Sequence, residues 1–220
     1  MPIDTLNLTV KLKKELFEII DDIFSFSNTY YDSFIFDLDN HFQQQESMQV
    51  EHSMIYYPHL YWWAVFCAPL GKDGKTIFDY YLHKRLFKFK RKRAILNIVL
   101  QWRNIHPSFY VHVHSLDERV LLVKDLFDHS YKIVTVYNNN YKKPAGNQLL
   151  TGLVLPFGNR SYCTIIDFLH ISSPKQSLEE DLLLILRPTK LSFVTPSDLT
   201  SNYPSFLARC MKSLIEAQTN

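Results

Sequence analysis

The sequence predicts an α+β protein: a mainly helical, aromatic-rich region over 1–105, a central antiparallel β-meander over 106–172 curled into a barrel-like sheet, and C-terminal helices over 173–220. Three observations carry this. Apolar residues recur at helical spacing in the first hundred residues, they alternate with polar ones from Ser108 onward, and helical spacing returns beyond Pro174. With 46% hydrophobic and 15% aromatic residues in a chain of 220, there is enough apolar surface to offset conformational entropy and bury a core.

Within 10–26, Leu12, Leu16, Ile19, Ile20 and Ile23 fall on one helical face with charges opposite. An aromatic-rich stretch then decays into polar residues, which predicts a loop or helix end near 43–49. Residues 52–71 contain no Asp, Glu, Lys or Arg, but Pro58, two histidines and Tyr61-Trp62-Trp63 interrupt them where a membrane span wants aliphatic residues, so the segment reads as buried structure closed by the turn Gly71–Gly74. Ile95, Ile98, Val99 and Trp102 make a second amphipathic helix, which must end before His106-Pro107 because proline pushes the preceding residue out of the α region. Five β-rich runs follow, "SFYVHVHS", "RVLLVKDLF", "YKIVTVY", "LLTGLVLP" and "SYCTIIDF", separated by short turn signals, with Gly152 marking a bend. Ser177 and Glu180 form a capping-box pattern for a helix that Pro188 stops, and Phe206, Leu207, Met211, Leu214 and Ile215 line one side of a last helix.

The segment from "IFDYYL" through "VKDLF" to "GNQLLTGLVLPFGNRSYC", roughly 75–170, resembles an uncharacterised family of cytosolic proteins of bacilli related to SEC-C motif-associated proteins, with Asp79, Asp125 and Gly152 inside the matching patterns. The resemblance implies no catalytic residue. Zinc-bearing members end in a cysteine-rich SEC-C module, and this chain departs from them: Cys67, Cys163 and Cys210 are isolated in sequence. Three dispersed cysteines, without a CxxC pair, also predict reduced thiols and hence a cytoplasmic protein; no secretory signal opens the chain.

One stretch stands apart in charge. "KRLFKFKRKR" carries seven cations in ten positions: Lys84, Arg85, Lys88, Lys90, Arg91, Lys92 and Arg93. Removing these seven from the 24 Lys and Arg leaves 17 against 22 Asp and Glu, so a chain of formal charge +2 is basic in one place only. Clustered cations neutralise phosphates, and Phe87 and Phe89 offer rings on which unpaired bases stack. The same run also reads as a solvated helix start with its phenylalanines in the core.

Other motifs are weaker. "FIFDLDN" matches the Asp-x-Asp of a haloacid-dehalogenase-type phosphatase, Asp37 as nucleophile and Asp39 as acid, but that chemistry needs the motif at a strand end in a parallel α/β sheet, with Mg²⁺ and a later acidic pair. His112 and His114 would share a strand face and with His129 offer imidazoles to a metal, or simply make that face polar. No GxSxG, P-loop or HExxH is present, and Asp79, Asp125 and Asp167 converge only if the fold brings them together. The sequence therefore points to a binding protein without catalytic, cofactor or metal residues, contacting RNA or single-stranded DNA, or an acidic protein surface, through 84–93, and to no membrane partner. A metal-dependent phosphoesterase or nuclease, and a protein-interaction adaptor, remain the alternatives.

Overall fold

A computed structural model describes residues 3–46, 48–138, 141–158, 160–171 and 196–219 of the chain. Its first element, α1 (Ile3–Glu46), is 44 residues long, about 66 Å at 1.5 Å per residue. The helix predicted over 10–26 thus continues through the aromatic stretch. No Gly or Pro interrupts 3–46, and buried Leu16, Ile20, Ile23, Ser27, Ile35 and Phe42 keep one apolar stripe against the core. The Ser27 hydroxyl is satisfied by donating to the Ile23 carbonyl at 2.8 Å.

Helix α2 (Ser53–Phe66) holds the aromatic segment; nine of its residues, His59 to Phe66 together with Tyr56, are buried, as a helix apolar on all sides must be. No helix among the described residues is long and apolar enough to cross a membrane. Helix α3 (Ile77–Arg85) opens on a capping box in which Thr76 Oγ1 accepts from the Asp79 amide at 3.2 Å and Asp79 Oδ2 accepts from the Thr76 amide at 3.1 Å. Helix α4 (Arg93–Gln101) buries Ile95, Ile98 and Val99 and ends, through a 3₁₀ turn at Trp102–Asn104, before His106-Pro107. The chain closes with α5 (Pro196–Thr219). The helix predicted from Ser177 to Pro188 lies outside the described residues.

Between these helices the described residues form seven strands: β1 (Ser108–Asp117), β2 (Val120–Asp125), β3 (Tyr131–Val136), β4 (Leu149–Gly152), β5 (Leu155–Pro156), β6 (Ser161–Thr164) and β7 (Leu169–His170). They form one sheet in the order β5-β6-β3-β2-β1-β4-β7. The first three make the predicted meander, but β3 pairs with β6 in parallel, so the sheet is mixed, and it is not closed into a barrel. The expected fourth run is two strands on opposite sides of the sheet, because "LLTG" pairs with β1 while "LP" pairs with β6.

That split curls the sheet. Only Leu153 and Val154 separate β4 from β5, a reach of about 10 Å for extended chain, although five strand intervals of about 4.8 Å would part them in a flat sheet. Inside the curl, Tyr110, Leu121, Val123, Val134, Val136, Leu150, Val154 and Phe168 form their own core. The opposite face contributes Phe109, Leu149 and Cys163 to the larger core shared with the helices.

Two charges lie inside the sheet region. Lys132 Nζ sits 2.6 Å from Asp125 Oδ2 and 2.8 Å from Asp128 Oδ2, while Ser108 Oγ and the Phe127 amide donate to Asp125 Oδ1. Burial pushes the Lys132 ammonium down, but the two carboxylates outweigh it and hold its pKa above the ordinary value. Asp125 and Lys132 are thus tolerated in the interior because each is paired and hydrogen-bonded.

Candidate functional site

The basic run is neither a strand nor a continuous helix. Lys84 and Arg85 end α3, Leu86–Phe89 make a 3₁₀ turn, Lys90 and Arg91 lie in the following turn, and Lys92 is the N-cap of α4, which Arg93 begins. The run lies across α1 antiparallel to it. Lys92 Nζ meets Glu15 Oε2 at 2.8 Å, Lys88 Nζ meets Asp22 Oδ2 at 3.0 Å with Arg85 Nε at 3.8 Å from the same oxygen, and Lys84 Nζ stands 4.1 Å from the centre of the Tyr30 ring. Along α1 the steps from residue 15 to 22 and from 22 to 30 are about 10 and 12 Å, so each partner comes up in turn. Burial pushes the Asp22 carboxyl up, but the Lys88 ammonium, the Tyr81 hydroxyl and the Arg85 guanidinium outweigh it and hold it below its ordinary value.

Four of the seven cations are therefore engaged by α1. Lys90, Arg91 and Arg93 are exposed and make no ion pair or side-chain hydrogen bond among the described residues. They surround the start of α4, where Lys92 supplies no side-chain cap and the first turn holds no acidic residue. The first intrahelical bond runs from the Leu96 amide to the Lys92 carbonyl, leaving the amides of Arg93, Ala94 and Ile95 to whatever lies outside. An uncapped helix N-terminus among cations is a region of positive potential. The two phenylalanines divide: Phe89 is core at 3% exposure, whereas Phe87 is 62% exposed beside the free cations, with Leu86 next to it.

A cleft continues from this point between α4 and the N-terminal part of α1, lined by Lys11, Glu15, Arg91, Lys92 and Arg93 over an apolar floor of Leu12 and Ile95. Lys11, and the carboxylates of Glu15 and Asp22 that meet the basic run, had no signal in the sequence, because they come from residues 63 to 82 positions away.

The remaining candidates take other places. "FIFDLDN" lies wholly within α1, so Asp37 is exposed and Asp39 is turned toward Gln43, which donates to it at 2.9 Å; the strand this motif needs is not there. A β-bulge between His112 and His114 puts them on different faces: His114 is exposed, while His112 is buried, its Nδ1 donating to the Ala145 carbonyl at 2.8 Å and its Nε2 accepting from Ser115 Oγ at 3.1 Å. His129 is exposed at the β2–β3 turn, with φ of 57°. Asp79 caps α3, Asp125 is paired with Lys132, and Asp167 accepts the amides of Lys142 and Phe168, so the three aspartates are each committed to separate partners. Among the described residues no three His, Cys, Asp or Glu side chains are grouped to hold a metal ion. All three cysteines are free and buried, and burial alone pushes the Cys67 thiol well above its ordinary value.

No protein-family model, curated protein or solved structure matches the chain.

Proposed function

We propose that this protein is a non-enzymatic binding protein that contacts single-stranded RNA or DNA through the surface of Lys84, Arg85, Lys88, Lys90, Arg91, Lys92 and Arg93. The observation that carries the reading is the trio Lys90, Arg91 and Arg93, unpaired among the described residues and set around an uncapped helix N-terminus with Phe87 exposed beside them. Unpaired cations gain most from a polyanion, because no intramolecular pair has to break before condensed counterions are released. An exposed ring next to them favours unpaired bases over a duplex, whose bases are stacked on one another. The buried free thiols fit a reducing compartment such as the cytoplasm.

The test is retention on immobilised single-stranded nucleic acid across a salt series. Wild-type protein binds at low salt and is released as salt rises; the triple variant Arg91→Glu, Lys92→Glu, Arg93→Glu is not retained at any salt while its circular dichroism and melting temperature stay near wild type. A wild type that shows no salt-sensitive retention ends the proposal. A partner that co-purifies through this surface and survives nuclease treatment would instead make the ligand an acidic protein.

A further inference from the structure

The basic run is only one wall of the cationic surface. Across the cleft stands Lys11, on α1, which makes no ion pair or side-chain hydrogen bond among the described residues and faces Arg91, Lys92 and Arg93. Within the same cleft Glu15 is held by Lys92 at 2.8 Å, with the carboxylate only 20% exposed and the lysine 53% exposed. We infer that this cleft receives a phosphodiester of the bound strand, that Lys11 is a binding residue contributed from outside the basic run, and that Glu15 restrains the site by holding Lys92 until a phosphate replaces it. The inference rests on the reading that 84–93 contacts nucleic acid, and adds to it a second element, a named residue and an internal competitor.

The chemistry of exchange favours this. A phosphate entering the cleft meets Lys11, Arg91 and Arg93 with no pair to break, so three cations balance it before Lys92 moves. Lys92 sits on the half-exposed side of its pair, where an ion pair contributes little and an incoming anion competes on nearly equal terms. When Lys92 turns to the phosphate, Glu15 is left facing the polyanion and repels it. Glu15 therefore weakens binding in two ways, by occupying a cation and by contributing a like charge. The apolar floor of Leu12 and Ile95 lets the sugar of the strand lie close without leaving a polar group unpaired.

The experiment measures the affinity of fluorescently labelled oligothymidylate over a salt series for wild type, Lys11→Glu, Lys14→Glu and Glu15→Gln. Lys14 is exposed on the same helix but does not line the cleft, so its variant makes the same charge change elsewhere. Lys11→Glu is expected to weaken binding and to make the slope of log K against log salt shallower by about 0.7, the contribution of one phosphate contact on a single strand. Glu15→Gln is expected to tighten binding and steepen the slope by a similar amount, about 0.7. Lys14→Glu is expected to weaken binding at low salt with less change in slope. If Lys11→Glu and Lys14→Glu behave alike, or Glu15→Gln leaves both affinity and slope as they were, the cleft has no such role, while the reading of 84–93 stands on the triple variant. Absence of binding by every protein in the series removes both readings together.

Discussion

His59 occupies the seam between α2 and the sheet, packed with Trp62, Phe66, Leu153, Leu155 and Tyr203 around a small cavity. The residue is 6% exposed and its Nδ1 finds no hydrogen-bond partner among the described residues. Burial pushes its pKa down to about 4; the Asp167 carboxylate opposes the shift and His170 adds to it. An unfolded imidazole titrates near 6.5 and the folded one near 4, so between these values the unfolded chain takes up a proton that the folded chain refuses. Stability present above pH 6.5 is lost as the pH falls toward 4, by about 3 kcal/mol at most. Melting temperatures measured across that window should fall steeply in wild type and more gently in His59→Leu; equal slopes would assign the acid sensitivity to other groups. Nothing in the sequence distinguished His59 from His52 or His83, which are less buried, because only the fold closes Leu153 and Tyr203 over it.

At the scale of elements, α1 organises the molecule. Its N-terminal half meets the basic run through Glu15 and Asp22 and the chain just past β3 through Phe17, whose ring stacks on Tyr137 at 4.0 Å, and its C-terminal half packs Ile35 and Phe42 into the helical core. The stripe of 10–26 was legible because leucine and isoleucine fall at helical spacing there. From Ser27 to Asn40 the same face is Ser27, Tyr31, Phe34, Ile35 and Leu38, mixed with exposed aromatics such as Tyr30 and Phe36, and the periodicity is blurred. Tertiary burial, not propensity, keeps this part helical. Ser33, exposed in the middle of it, gives a direct test. Proline there removes an amide donor and clashes with the preceding turn, so Ser33→Pro should cost about 3 kcal/mol or more in urea unfolding. A loss near zero would mean that the helix is interrupted around residue 33. The seven-cation run was equally visible in sequence, but its division into engaged and free cations was not, since that depends on which carboxylates of α1 come opposite it.

For the whole molecule, the unusual feature is a sheet whose ends are drawn together without hydrogen-bonding to each other. The alternating pattern of 108–136 announced the meander, and Gly152 announced a bend, yet the parallel β3–β6 pair was hidden because pairing across a crossover leaves no mark on either strand alone. Gly152 is where the curl is decided. A Cβ there would lie 3.2 Å from Cδ1 of Phe168, a ring that fills the interior of the curl beside Tyr110, with His59 also close. The chain leaves β4 at this residue and enters β5 after Leu153 and Val154, on the other side of the sheet. A side chain at 152 must therefore displace Phe168 or open the curl, and either change loosens the packing of both cores, since His59 belongs to the helical side and Phe168 to the sheet interior. Gly152→Val should destabilise by about 1–3 kcal/mol as an overpacked site, and Phe168→Ala by about 3–5 kcal/mol through the cavity it leaves. If the contact itself sets the curl, the double variant costs less than the two single losses combined by at least about 0.5 kcal/mol, because the new methyl groups enter space that the ring has vacated. Losses that simply add in equilibrium unfolding would show that Gly152 and Phe168 act independently, and the close approach would no longer account for the shape of the sheet.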